Sequence, residues 1–236
     1  RIIHLLREKT NSSEHPDAIL VTIDAKNAFN SPCRSAIRAQ LDTPDKKWVG
    51  FHALFNLAYA SPSELMYRID DERVEKISSE VGTRQGDPLG ALLFCLAIHP
   101  ILREIEGKFG DVIAPAYMDD ITLCSPSGQV DNILACYQYI ERRMHEMSIE
   151  INAQKCEWYS RKRAPAALKA LTVRNPDGTQ SKDVLRVLGA YFGSDTAVKA
   201  RLLHKVTNVE ADMFERVRKV GGHPGLLLQS KTLSPK

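Results

Sequence analysis

The run Ala18-Ile-Leu-Val-Thr-Ile23 is apolar and β-branched almost throughout, and the residue after it is an acid, Asp24. Such a run predicts a strand in the middle of a sheet. A carboxylate delivered at the end of a buried strand needs a partner, and a cation is one candidate. The chain must therefore build a sheet whose central strand ends on an acidic group.

Other segments supply elements around that strand. Val112 to Tyr117 and Ile121 to Cys124 read as short strands of a hairpin joined at Asp119-Asp120. Glu64 to Ile69 and Arg73 to Ile77 flank Asp70-Asp71-Glu72 in a second hairpin. Ser31-Pro32 gives a cap followed by proline in the first helical turn, opening a helix to about Leu41. Thr43-Pro44 repeats the device, with Trp48, Phe51, Leu54, Phe55 and Ala58 on one stripe. Asp87-Pro88 opens the most apolar helix, Leu89 to Glu106. A helix over Val130 to Met147 follows, then short strands near Glu157–Tyr159 and Val184–Leu188. Residues 195–220 predict a last helix with Val198, Leu202, Val206, Val209 and Phe214 inward. Runs of short strands with helices between them predict an α+β layer structure with a largely antiparallel sheet. The lack of regular βαβ units and of any G-x-G-x-x-G or P-loop sequence argues against nucleotide folds of the Rossmann type.

At 236 residues, with 43% hydrophobic and 26% charged, the chain is globular in composition and long enough to bury a sizeable core. Its longest apolar stretch, Leu89 to Ile98, is half of what a membrane span needs, about twenty residues. No basic and apolar leader is visible, so no targeting peptide is expected, and the chain opening on Arg1 within a helical pattern reads as a piece of a longer protein. Cys33, Cys95, Cys124, Cys136 and Cys156 are scattered, without metal-ligand spacing, which predicts free thiols and a reducing, intracellular compartment. Charge is unevenly divided. Residues 1–154 carry 16 Lys and Arg against 22 Asp and Glu, a net −6, whereas residues 155–236 carry 16 against 7, a net +9. A basic half of that strength suits a partner bearing phosphates.

Two constellations carry chemistry. Asp24, Asp119 and Asp120 all fall at strand ends, and if the hairpin pairs beside the central strand they converge. A carboxylate cluster repels itself and is best satisfied by hard cations such as Mg²⁺; two such ions close together suit in-line displacement at a phosphate. The second is Thr83-Arg-Gln-Gly-Asp-Pro-Leu-Gly90. There Gly86 turns the chain, Asp87 caps and Pro88 starts the helix. Arg84 and Gln85 are left to project near a helix N-terminus, a natural place for a nucleotide or template.

Together, Asp24-Ala-Lys-Asn-Ala-Phe29, Arg84-Gln-Gly-Asp-Pro-Leu-Gly90, Tyr117-Met-Asp-Asp120, Ile151-Asn-Ala-Gln-Lys-Cys156 and Val187-Leu-Gly-Ala-Tyr-Phe-Gly193 resemble the palm of reverse transcriptases, with the flavour of non-LTR retrotransposons. Five motifs in that order, over residues 18–194, are far more specific than any one of them. The resemblance implies a right-hand polymerase palm, a ferredoxin-like antiparallel sheet with helices on one face. Residues 18–43 and 84–194 would form the palm, 1–17 and 44–83 a remnant of the fingers, and 195–236 the start of a thumb. It implies an RNA-directed DNA polymerase that adds dNTPs to a primer 3′-OH, with an RNA template and a DNA or RNA primer as partners. Two Mg²⁺ ions, or Mn²⁺ in their place, would serve as cofactors.

Carried over residue by residue, Asp24 and Asp119 look like the principal metal-binding aspartates, helped by the Ala25 carbonyl, and Asp120 like the third acid of the turn. Phe29 is similar to the aromatic steric gate that excludes a 2′-OH. Arg84, Gln85 and Gly86 resemble the nucleotide-contacting motif. Lys155 matches the position proposed to protonate departing pyrophosphate. Tyr117 and Met118, with Leu188, Gly189, Tyr191 and Gly193, resemble residues along the primer, although the last group reads equally as a tight hairpin.

The upstream finger motifs that supply Lys and Arg to the triphosphate have no match here, and Met118 stands where non-LTR elements often carry a small residue. Two other readings share the palm: a domesticated fragment that binds nucleic acid without catalysis, and an RNA-dependent RNA polymerase. The second typically carries another acid near position 29. A ferredoxin-like RNA-binding module would need stacking aromatics on central strands, where Tyr117 and Tyr159 are the candidates.

Overall fold

The computed structural model describes residues 1–10, 13–43, 48–71, 73–84, 86–160, 184–205 and 207. In chain order its elements are α1 (Ile2–Lys9), β1 (Ile19–Ile23), α2 (Arg34–Leu41), α3 (His52–Tyr59), β2 (Ser63–Arg68), β3 (Val74–Ser79), α4 (Gly90–Lys108), β4 (Ala116–Tyr117), β5 (Asp120–Ser125), α5 (Val130–Glu146), β6 (Glu157–Ser160), β7 (Val184–Val187), β8 (Ala190–Gly193) and α6 (Asp195–His204). Short 3-10 turns cover Ala28–Asn30 and Val49–Phe51. Two compact units divide the chain, Arg1–Lys182 and Asp183–Lys236.

In the first unit the strands lie in the order β4-β5-β1-β6, all neighbours antiparallel. β1 is central, as its composition requires. Its alternate residues Ile19, Val21 and Ile23 join Ile121, Leu123 and Trp158 in one core. Helices α4 and α5 close that core with Phe94, Ile98, Ile101, Ile105, Ile133, Tyr137, Ile140 and Met144. A fully buried aliphatic side chain contributes about 1.5–3 kcal/mol, so this layer is the chief source of the unit's stability. Leu20, on the opposite face of β1, is buried too, with Cys124 and Tyr159 as its cross-strand partners. A second cluster joins Ile37 and Leu41 of α2 and Phe55 and Tyr59 of α3 to Leu93, Leu96 and Ala97 of α4.

Several starts differ from expectation. Ser31 does not cap α2, whose N-cap is Cys33 without a side-chain bond. The Ser31 hydroxyl turns back instead and donates to the carbonyls of Lys26 and Asn27, closing the 3-10 turn before it. Leu54 on the α3 stripe is exposed, because only the Phe55 and Tyr59 side faces α2 and α4. Pro44 lies outside the described residues. The hairpin β2–β3 forms as predicted, with both faces exposed.

The second unit contains the hairpin β7–β8 and α6. Ser194 caps α6, its Oγ accepting from the Ala197 amide at 3.3 Å. Leu202 is exposed rather than inward, and Val206, Val209 and Phe214 lie outside the described residues. Among the described residues no helix is long and apolar enough to cross a membrane.

Candidate active site

Asp24 follows Ile23, whose partner across the ladder is Ile121. One step further along that antiparallel register stands Asp120, the first residue of β5. Residues opposite one another in such a register lie about 5 Å apart, so the ends of two central strands bring two carboxylates together. Tyr117 pairs with Asp120, which leaves Met118-Asp119 as a two-residue loop. The tip is thus one residue earlier than expected: Asp119 is in the turn, and Asp120 is already strand. Met118 has φ +54° and Asp119 has none positive, the pattern of a type II′ turn, whose twist matches its strands. A methionine there stores strain of about 1 kcal/mol or more, held by the pairing on both sides.

The charges feel each other. Partial desolvation, then the negative charges of Asp119 and Asp24, push the Asp120 carboxyl above the usual carboxylate range. Asp119 also acts on α4, where burial and then its charge push the Cys95 thiol up. The described cation beside the cluster is Lys155, with Nζ 3.8 Å from Asp24 Oδ1. Backbone pairing puts it there. The Asn152 amide donates to the Asp24 carbonyl at 2.8 Å, Ala25 bridges to Ile151, and the Lys26 amide donates to the Glu150 carbonyl at 2.8 Å. A turn in which the Lys155 and Cys156 amides both donate to the Asn152 carbonyl then swings Lys155 toward Asp24.

A carboxyl pushed up by two neighbouring carboxylates is chemically suited to a hard cation, and the raised Asp120 carboxyl marks charge that a cation would offset. Among the described residues no three His, Cys, Asp or Glu side chains already close on one metal position.

Phe29, in the 3-10 turn Ala28–Asn30, lies against Phe94 of α4 with ring centroids 4.9 Å apart. Its carbonyl accepts from both the amide and the hydroxyl of Thr83, at 2.6 and 3.1 Å. Gly82, with φ +66°, lies flat on the same turn: a Cβ there would stand 2.2 Å from the Asn30 carbonyl carbon. The Gly82–Arg84 segment and the Phe29 segment are therefore one backbone-bonded layer.

Arg84 does not project from that layer. Its guanidinium donates to the Ala58 carbonyl at 2.7 Å and lies over the Tyr59 ring, so the segment before helix α4 turns its charge inward. A side chain so engaged is poorly placed to reach a nucleotide. Gln85 lies outside the described residues. Gly86, with φ +88°, faces open space. Tyr117 and Met118 are exposed at the hairpin tip. In the second unit Leu188 and Gly189 have φ +47° and +84°, the two positive values of a type I′ turn, between Val187 and its partner Ala190. Tyr191 pairs with Arg186 and Gly193 with Val184. Phe94 and Tyr59, which support these residues, read in the sequence only as apolar core, and Arg34 only as a helix charge.

The model of the family described as reverse transcriptase (RNA-dependent DNA polymerase) matches residues 2–192. The chain belongs to the reverse transcriptase family. Within the family it is similar to the retrotransposable element SLACS 132 kDa protein of Trypanosoma brucei gambiense, 29% identical over 138 residues. Those residues are 58% of this chain and 11% of that protein, so this reverse transcriptase chain spans about a tenth of the curated relative it matches. The likeness is to a protein of a retrotransposable element. Among solved structures, apo telomerase from Candida tropicalis, truncated from its C-terminal domain, superposes with a TM-score of 0.52 at 10% identity. That match covers 81% of this chain and 37% of the telomerase chain. The reverse transcriptase fold here is accordingly an α+β polymerase palm.

Proposed function

We propose that this chain carries the palm of an RNA-directed DNA polymerase and adds dNTPs to a primer 3′-OH on an RNA template. The observation that carries the reading is the placement of Asp24 and Asp120 at adjacent strand ends, with Asp119 in the turn between β4 and β5 and Lys155 beside Asp24. Asp24, Asp119 and Asp120, with the Ala25 carbonyl, would hold two divalent ions, Mg²⁺ or Mn²⁺. Bound there, such ions would lower the pKa of the primer hydroxyl and stabilise charge on the transferring phosphoryl group.

The chain's own residues do the rest. The Lys155 ammonium stands 3.8 Å from Asp24 Oδ1, where it can deliver a proton to, or offset charge on, the departing pyrophosphate. Phe29 presents an aromatic wall that its packing on Phe94 keeps from retreating, so a sugar bearing a 2′-OH is excluded sterically. Gln85 and Gly86 are assigned to the incoming nucleotide. Tyr117, Met118 and the Leu188–Gly193 hairpin are assigned to the primer. RNA and DNA strands are proposed partners, and the net +9 of residues 155–236 supplies counter-charge for their phosphates. The fingers, palm and thumb division given above is part of the same proposal, as is an intracellular location.

Primer extension on poly-rA/oligo-dT with Mg²⁺ tests the reading, with Asp119→Ala beside the parent chain. Incorporation of dTTP by the parent that is lost in the variant supports it. No incorporation by the parent, with template–primer still bound, would favour the fragment that binds nucleic acid without catalysis.

A further inference from the structure

We propose that Tyr59 is a positioning residue for the nucleotide side of the site: its phenol oxygen ties Arg84 to Asp87 and so sets the backbone that carries Gly86. The inference rests on the polymerase reading of that site.

Tyr59, the last residue of α3, is 1% exposed and packs in the core between α2 and α4. Volume alone would be satisfied by phenylalanine, as at Phe55 one helical turn earlier, whose ring stacks on it at 5.9 Å. The hydroxyl is what differs. Its O–H donates to Asp87 Oδ2, and the phenol oxygen itself accepts from the Arg84 amide at 3.2 Å. The other Asp87 oxygen accepts from the Leu89 amide at 2.9 Å, and the Asp87 amide donates to the Arg84 carbonyl at 3.3 Å. One buried atom therefore binds both Arg84 and Asp87, and Gly86 falls between them.

The ring is held in turn. The guanidinium carbons of Arg34 and Arg84 lie 5.3 and 5.1 Å from its centroid. Arg34 also donates to the carbonyls of Tyr59, Ser61, Ser79 and Gly82, joining the base of the β2–β3 hairpin to the same point. A buried phenol without partners is costly, so both contacts are expected to be held tightly. Removing the oxygen leaves the Arg84 amide without its acceptor and Asp87 without a donor, while the core keeps its shape.

The test uses the 236-residue chain as parent, Tyr59→Phe and Phe55→Leu. Hydrogen–deuterium exchange across residues 84–87 is read without metal or nucleic acid, and dTTP kinetics are read on poly-rA/oligo-dT. Tyr59→Phe is expected to speed exchange at the turn and to raise KM for dTTP roughly tenfold, the size of one or two buried hydrogen bonds, with kcat within about twofold. Phe55→Leu is expected to lower Tm and leave both readouts in place. Unchanged exchange at 84–87 in Tyr59→Phe, or faster exchange with KM unmoved, overturns the assignment. If the parent incorporates nothing, the polymerase reading falls, and the exchange result alone decides whether Tyr59 tethers the turn.

Discussion

Asp120 stands at a strand end where its own charge is disfavoured, by partial desolvation and by Asp119 and Asp24. A carboxyl whose folded-state pKa lies above its unfolded value binds its proton more tightly when folded. The metal-free chain therefore gains stability as pH falls through that raised value, and the ionised form opposes folding at neutral pH. Asp120→Asn is expected to raise the Tm of the metal-free chain at pH 7, and the gap to the parent is expected to narrow toward pH 4 in thermal melts. Lys155→Ala should lower kcat by about 10²-fold, the scale of lost proton transfer, with a smaller change in KM. Phe29→Ala should relax discrimination against ribonucleotides by roughly 10–100-fold in competing incorporation of rUTP and dTTP. At this scale the position of Asp24 and Asp120 at strand ends was legible, because each adjoins an apolar run. Arg84 was not. A sequence displays a charge but not the carbonyl that engages it, and here the Ala58 carbonyl and the Tyr59 ring take up the guanidinium. Tyr59 was equally silent, since its spacing from Phe55 reads only as core.

The elements follow from local signals wherever burial agrees with them. β1 and β5 have the apolar runs that a two-sided burial demands, and α5 runs Val130–Glu146 where its pattern predicts Val130 to Met147. Starts at turns are less legible, because a serine has several carbonyls in reach: Ser31 closes the turn before it rather than capping the helix after it. The hairpin tip shifted for a related reason. Asp119 and Asp120 both suit a turn, Met118 does so only with tertiary support, and pairing of Tyr117 with Asp120 decides which two residues form it. The contact between the Gly82 segment and the Phe29 turn has no local signature, being formed by residues more than fifty positions apart. It yields a sharp prediction: Gly82→Ala forces a Cβ into the Asn30 carbonyl and a positive φ onto alanine. That should cost about 3 kcal/mol, read as a lower urea midpoint, and should also slow dTTP incorporation through the displaced Phe29.

For the whole molecule, the α+β class was legible from the alternation of short strands with helices, whereas the order β4-β5-β1-β6 was not. β6 reaches β1 from about 135 residues away, and nothing local encodes such a partner. The charge division was legible at once, and it predicts salt-sensitive binding: affinity for a single-stranded template should fall at least tenfold between 50 and 200 mM KCl if about three phosphates are neutralised. The central claim, that strand ends from separate parts of the chain act as one cation site, is tested most directly by Mn²⁺ binding followed by electron paramagnetic resonance. The parent chain with template–primer and dTTP would be compared with Asp24→Asn and Asp120→Asn. The expected result is Mn²⁺ bound by the parent and weakened tenfold or more by each substitution alone. Equal Mn²⁺ affinity in all three proteins would contradict it.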